Sequence, residues 1–174
     1  MRVKLSEICE VTTGKSNVQD SVINGKYPFF DRSSIVKYSN EYLFDNETII
    51  YAGEGTAFYP KYFKGKYNLH QRCYSLFNFK DIVNPKYLYY ALFGYNSYFL
   101  KNTVGTTVPS LRRDAFLKLE IELPNKEIQD KIANILSCID NQIERNNVMV
   151  QKLPTFRTTT YCISHKEGEL RYAC

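Results

Sequence analysis

The 174-residue sequence predicts a mixed α+β fold, in which a strand-rich globular domain precedes one long C-terminal coiled-coil helix. Two observations lead to this prediction. Short β-branched or alternating segments occur within residues 27–80 and again at residues 117–123, as in strands with a buried face. From Lys126 to Leu153 no glycine or proline occurs, which leaves a long stretch free to form a helix. We place the globular domain at residues 1–125, the helix at 126–153 and a loosely ordered tail at 154–174.

The first half of the chain supplies most of the predicted strands. Pro28 disfavours a helical conformation in the residue before it, so its segment is extended. The segment that begins at Thr48 is apolar and β-branched, which is typical of a buried strand. The segment that begins at Cys73 alternates, and we expect the face containing Cys73 and Phe77 to point to the core. The elements of this half are, in order, a short helix or turn at Leu5–Cys9 and strands at Tyr27–Phe30, Thr48–Ala52 and Cys73–Phe79.

The second half predicts a helix, a loop and a further strand. Pro85 fits the first turn of a helix, and apolar residues then recur at spacings of three and four up to Phe99. Gly105–Pro109 has the composition of a loop. Leu117–Leu123 alternates strictly between apolar and charged residues, which predicts a strand that Pro124 ends.

The long helix carries the clearest periodicity in the chain. Four isoleucines from Ile128 to Ile139 are spaced by four, three and four residues, as at the first and fourth positions of a heptad. An amphipathic helix lying on its own domain would give part of this pattern. The length and the polar residues at later seam positions favour a helix that pairs with another. The expected interface residues are Ile128, Ile132, Ile135, Ile139, Met149 and Leu153.

Composition excludes several classes of protein. Five scattered cysteines include no C-x-x-C pair, so no zinc site is indicated and a reducing cytoplasm is expected. Neither a signal peptide nor a membrane-spanning segment is predicted, which indicates a soluble protein. The net charge of +5 permits binding to a polyanion without requiring it.

Sequence motifs for catalysis are missing. Asn84–Tyr87 resembles the Asn-Pro-Pro-Tyr loop of adenine methyltransferases, but Lys86 replaces the second proline and no glycine-rich cofactor loop occurs. We interpret Asn84-Pro85 as a helix start. The carboxylate pairs in Asp45–Glu47 and Glu120–Glu122 lack a lysine at nuclease spacing, and solvated strand edges explain them. No metal site, no cofactor and no enzyme activity are predicted.

Three stretches together resemble the specificity subunits of type I restriction–modification enzymes. They are Lys4–Gly14, Gly105–Pro124 and Glu127–Glu144. The third follows the family's order of Leu-Pro, Glu-x-Gln-x-x-Ile-Ala-x-x-Leu and Asp-x-x-Ile. The resemblance implies a target recognition domain that reads DNA, joined to a conserved helix. It implies partners as well: an adenine methyltransferase that uses S-adenosylmethionine, and an endonuclease and translocase that uses ATP.

The resemblance covers a single recognition unit, whereas a typical member has two in tandem with antiparallel helices. We therefore expect a half subunit that forms an antiparallel homodimer and reads a bipartite DNA site. A fragment of a longer gene is the alternative.

Candidate DNA contacts come from basic and hydroxyl side chains in segments that we expect to be loops. For each of these side chains, the alternative to a DNA contact is a surface position that contacts only solvent. The candidates are Lys61, Lys64, Lys66, Arg72, Thr106, Thr107, Arg112 and Arg113. Two other functions remain open on the sequence: a methyltransferase or nuclease acting alone, and a scaffold that binds only protein.

Overall fold

A computed structural model describes the backbone of residues 1–164 and the side chains of residues 1–152. Two compact units divide the chain: the first is Met1–Ala133, and the second begins at Asn134. The mixed α+β class and the long C-terminal helix are both confirmed. The elements are β1 (Arg2–Lys4), α1 (Leu5–Ile8), β2 (Glu10–Thr13), β3 (Tyr27–Phe30), β4 (Lys37–Ser39), β5 (Phe44–Ala52), β6 (Lys61–Leu69), β7 (Cys73–Phe77), α2 (Pro85–Leu92), α3 (Asn96–Lys101), α4 (Arg113–Leu117), β8 (Glu120–Glu122) and α5 (Lys126–Ser164).

Six of the strands form one sheet in the order β2-β7-β5-β6-β3-β4, in which only the β3–β6 pair is parallel. The sheet curls until the segment after β2 meets the end of β6. There Ser16 and His70 form a bridge, and the amide of Gln71 donates to the carbonyl of Ser16 at 2.9 Å. This curl brings the loops that follow β2, β3 and β6 to one end of the sheet. β1 and β8 pair separately.

Residues on the two faces of the sheet belong to two clusters of buried side chains. The larger cluster joins Ile49, Tyr51 and Leu76 to apolar residues of the surrounding helices. The smaller cluster contains Ile50 and Cys73 together with aromatic residues of β3 and β6. β7 is therefore buried on both faces: Cys73 and Ser75 are buried on the face expected to point to the core, and Leu76 is buried on the opposite face.

Two assignments from the sequence differ from the structure. Residues 61–69 form β6, where we expected a loop, because this segment pairs with β5 over seven positions despite its lysines. The alternating segment from Leu117 to Leu123 is a strand only at Glu120–Glu122, since Leu117 ends α4. A short alternating pattern also arises where a helix ends in a turn. The apolar residues Phe116 and Leu119 of this turn are buried.

The start of α5 is fixed by amide hydrogen bonds. Gln129 is fully buried, and its Nε2 donates to the carbonyls of Pro124 and Ile82 at 2.8 and 2.9 Å. Its Oε1 accepts from the backbone amide of Asn84 at 2.8 Å. The helix begins at Lys126 as predicted and continues to Ser164, so the expected end at Leu153 is wrong. Pro154 removes one hydrogen-bond donor from a helix without always ending it.

Candidate nucleic-acid interface

Four segments meet at the end of the sheet where β5 stops and β7 begins. They are residues 31–36, 53–60, 70–72 and 103–112. The amide of Gly53 donates to the carbonyl of Arg72, and the carbonyl of Gly53 accepts from the amide of Leu111, both at 2.8 Å. A Cβ atom on Gly53 would lie 2.4 Å from the Arg72 carbonyl oxygen, so only glycine permits this approach. These contacts join residues that are far apart in the sequence into one surface.

Glu54 holds two arginines at this surface. Its carboxylate accepts hydrogen bonds from the guanidinium groups of Arg32 and Arg72, while the Glu54 side chain is only 13% exposed. Burial alone would raise the pKa of Glu54, but the two arginines outweigh it and lower the pKa below its usual value. One carboxylate thus fixes two cations, and the local charge remains positive.

Asp31 organises the loop between β3 and β4 in the same way. The Nζ of Lys37 and the Oγ of Ser33 both donate to the Asp31 carboxylate at 2.6 Å, and the Ser33 amide donates at 2.8 Å. Burial acts to raise the pKa of Asp31, yet these hydrogen bonds lower it to about 2. The carboxylate therefore stays ionised and keeps the loop in one conformation.

The loop that carries Thr106 and Thr107 reaches the same surface. Gly105 has a φ of +94°, and the carbonyl of Pro109 accepts from the amide of Gly55 at 3.1 Å. Both threonines are exposed, as are Arg112 and Arg113 at the start of α4. Four of the expected contact residues lie in this group of loops, namely Arg72, Thr106, Thr107 and Arg112, with Arg113 adjacent.

The sequence of the chain matches the model of a known protein family. The family model of the type I restriction modification DNA specificity domain matches residues 1–153. The chain belongs to this family. The resemblance seen in the sequence is thereby confirmed.

Relatives of this specificity domain are named as specificity subunits rather than as methyltransferases or endonucleases. The chain is 29% identical to the type I restriction enzyme EcoDI specificity subunit of Escherichia coli, a match that covers 87% of this chain and 34% of that subunit. It is 26% identical to a putative type I specificity subunit of Mycoplasma pneumoniae, covering 95% of this chain and 48% of the relative. The chain thus spans between a third and a half of these relatives, and it is placed among the specificity components.

Solved structures show the same fold. The crystal structure of the type I restriction–modification S subunit from M. genitalium has a TM-score of 0.79 at 22% identity, over 91% of this chain and 44% of that one. The HsdS subunit from Thermoanaerobacter tengcongensis has a TM-score of 0.62 at 15% identity, over 83% of this chain and 38% of that one.

Three lysines expected to contact DNA lie on β6 of the specificity domain. Lys61 supports the neighbouring loop: its Nζ donates to the carbonyl of Ser33 at 2.6 Å, and burial lowers the pKa of Lys61. Lys64 lies 3.6 Å from the carboxylate of Glu47, and the Nζ of Lys66 lies 4.7 Å from the ring centre of Tyr42. Lys64 and Lys66 therefore line the strand rather than the group of loops.

Sequence reasoning missed Arg32, Lys37 and Glu54. No local pattern marks them, because Arg32 and Glu54 are 22 residues apart in the chain. Gly53–Gly55 is too short a motif to indicate binding, and its carboxylate in fact binds arginines of the same chain. The only available signal was the presence of basic residues beside strand ends.

In the structure of the specificity domain, the sequence motifs that were considered for catalysis have structural roles. Asn84 caps α2, since its Oδ1 accepts from the amides of Lys86 and Tyr87 at 2.9 and 3.1 Å, which confirms the predicted helix start. Glu47 accepts from the hydroxyl of Tyr62, and Glu120 pairs with Arg2. Among the described residues, no group of three or more His, Cys, Asp or Glu side chains is placed to hold a metal ion. The described helices include none with the length and apolar character that a membrane span requires.

The second compact unit carries most of the predicted pairing stripe. Ile135, Ile139 and Met149 are 62%, 47% and 62% exposed. Nearer the start of α5, Ile128 is 45% exposed and Ile132 is half-buried. The side chain of Leu153 lies outside the described residues.

Proposed function

We propose that the chain is the DNA-reading, non-catalytic specificity component of a type I restriction–modification complex. The observation that carries this proposal is the set of loops at one end of the sheet, where the Glu54 carboxylate holds Arg32 and Arg72 beside exposed threonines and further arginines. Arginines bind phosphates and guanine edges, and threonines bind base edges or phosphates. Membership of the specificity domain family supports the same conclusion.

The expected DNA contacts are the exposed residues Arg72, Thr106, Thr107, Arg112 and Arg113, together with Lys64 and Lys66 along β6. Lys61 contributes positive potential and supports the adjoining loop. Within this set, Arg112 and Arg113 provide the clearest test, because neither guanidinium group forms an ion pair with another side chain of residues 1–152.

A gel-shift assay on duplex DNA over a range of salt concentrations tests the proposal. Affinity should fall steeply with salt, because each neutralised phosphate releases about one counterion. Arg112→Ala or Arg113→Ala should flatten the logarithmic salt dependence by about one if the residue binds a phosphate. Lys131→Ala is the matched control, since Lys131 pairs with Glu127 on α5 and is similarly exposed. Absence of salt-dependent binding by the wild type would instead favour a scaffold that binds only protein.

The partners in the proposal are an adenine methyltransferase and an endonuclease, which would meet the chain on DNA in the cytoplasm. The chain itself should bind neither S-adenosylmethionine nor ATP. Methyl transfer to duplex DNA should therefore require an added methyltransferase subunit. Transfer by the purified chain alone, measured with a labelled methyl donor, would contradict the proposal and favour an independent enzyme.

We further propose that α5 forms an antiparallel homodimer, which would read a bipartite site of two inverted half-sites. Exposed apolar stripes of this kind commonly mark interfaces. Ile135→Asp and Ile139→Asp should each produce monomers in sedimentation at micromolar concentration, whereas the exposed control Asn141→Asp should remain dimeric. These positions give a cleaner test than Ile132, which is half-buried. A monomeric wild type would overturn this part of the proposal and leave the DNA-reading part intact.

A further inference from the structure

Several aliphatic side chains are exposed on the proposed DNA-reading surface, which consists of residues 31–36, 53–60, 70–72 and 103–112, and the most exposed of those aliphatic residues is Ile35. Ile35, between β3 and β4, is 75% exposed, and it belongs to neither core cluster. An exposed isoleucine on a surface is ordinary by itself. Ile35 differs because hydrogen bonds of Asp31, Ser33 and Lys61 hold the backbone of its loop.

The backbone of this loop is fixed from both sides. From within the loop, the hydroxyl of Ser33 donates to Asp31 at 2.6 Å and is placed 2.8 Å from the carbonyl oxygen of Ile35 itself. From β6, the Nζ of Lys61 donates to the carbonyl of Ser33 at 2.6 Å. The carboxylate of Asp31 and the carbonyl of Ser33 thus have donors on the inner side of the loop, while the side chain of Ile35 is exposed to solvent.

This arrangement places charged groups of the loop partly or wholly out of water. Asp31 is only 6% exposed and remains ionised, while burial of Lys61 disfavours its charged form. The paired groups preorganise a loop whose exposed isoleucine cannot form a hydrogen bond.

The surroundings of Ile35 fit duplex DNA. Arg32 and Lys37 lie in or next to the loop, and Arg72 is joined to Arg32 through Glu54. The two carboxylates nearby are both paired with cations, so the net local charge attracts a polyanion. Among the base edges in the major groove, the 5-methyl group of thymine is the apolar feature that an aliphatic side chain can contact.

We propose that Ile35 is a specificity-determining residue that reads a thymine methyl group in the major groove. This inference rests on the proposed function of the chain as a DNA reader. Ile35 supplies the apolar contact, and the Asp31 and Lys61 hydrogen bonds supply the fixed position from which it discriminates thymine from cytosine.

The test uses the full chain and a pool of duplexes with a random central segment. Repeated gel-shift selection with the wild type gives an enriched duplex, which is then synthesised with thymine or with uracil, the same base without its methyl group. The wild type should bind the thymine duplex about fourfold more tightly, the effect of burying one methyl-sized group. Ile35→Ala should bind both duplexes equally, and Ile35→Val should keep most of the preference.

Ile82→Ala is the matched control, because Ile82 is 45% exposed in the loop after β7, away from the DNA-reading loops. It should keep the wild-type preference. The inference is overturned if the wild type binds the two duplexes equally, if Ile35→Ala retains the preference, or if the enriched site lacks thymine. Those outcomes leave DNA reading intact, whereas a wild type that enriches no sequence and shows no salt-dependent binding contradicts both proposals.

Discussion

The segments that flank β7 on its two sides are both held by buried polar side chains, but of different kinds. Before β7, the loops are held by the carboxylates of Asp31 and Glu54 and their cationic partners. After β7, the chain is held to the start of α5 by the neutral amides of Gln129 and Asn84. The charged network lies at the proposed DNA interface, where its excess positive charge would attract phosphate groups. The amide network anchors a helix, and the hydrogen bonds of Gln129 within it join uncharged groups, so they do not depend on pH.

The largest expected effect is at Gln129. Gln129→Ala leaves the Asn84 amide and the carbonyls of Ile82 and Pro124 without their partner, at about 1 kcal/mol each. The free energy of unfolding should fall by about 3 kcal/mol in urea denaturation followed by tyrosine fluorescence. The loss should be similar at pH 3 and pH 7, because the amide does not titrate.

Gln142→Ala provides the control for this experiment, since Gln142 is exposed on the same helix. It should change the free energy of unfolding by less than about 0.5 kcal/mol. Equal effects of the two substitutions would show that the amide network does not contribute the stability assigned to it.

An intermediate effect that depends on pH is expected at Asp31. The pKa of Asp31 is about 2 in the folded protein against an ordinary value of 3.8, so its stabilisation is complete above about pH 4 and is lost as pH falls towards 2. Between pH 5 and 2, the wild type should lose about 2 kcal/mol more stability than Asp31→Asn. Acid titration of the unfolding free energy measures this difference.

Asp114→Asn is the corresponding control, because Asp114 is exposed and paired only with Lys118 on its own helix. Its acid titration should follow that of the wild type. If Asp31→Asn also followed the wild type, the charged network would not hold the loop in the way that its geometry indicates.

The smallest effect is expected at Asn84, which belongs to the amide network and caps α2. Asn84→Ala removes the acceptor for the amides of Lys86 and Tyr87, which should cost about 1 kcal/mol. Asn84→Ser retains a capping oxygen but loses the hydrogen bond to Asp130, so thermal unfolding of the two variants separates the two roles. A serine variant as unstable as the alanine variant would assign the stability to the contact with Asp130.

Local patterns in the sequence determined the elements whose stabilising groups are close along the chain. The start of α2 at Asn84-Pro85 and the start of α5 at Lys126 depend on capping residues a few positions away, and both were predictable. The apolar strand at Thr48–Ala52 was predictable as well, although β5 begins earlier, at Phe44, where its pairing with β6 begins. The specificity family was also identifiable, since the most specific of its three motifs, Glu127–Glu144, lies in one continuous stretch.

Only the tertiary structure decided which residues share the proposed DNA-reading surface. Lys61–Leu69 is a strand because β5 supplies its partners, and no periodicity within the segment reveals that pairing. Glu54 meets Arg32 and Arg72 across 22 and 18 residues, through a curled sheet and a glycine that admits another backbone. Helix caps and apolar repeats act over one or two turns of chain, and a sequence displays them directly. A surface assembled from separate loops depends on strand order and sheet curvature, which the packing of the whole domain sets.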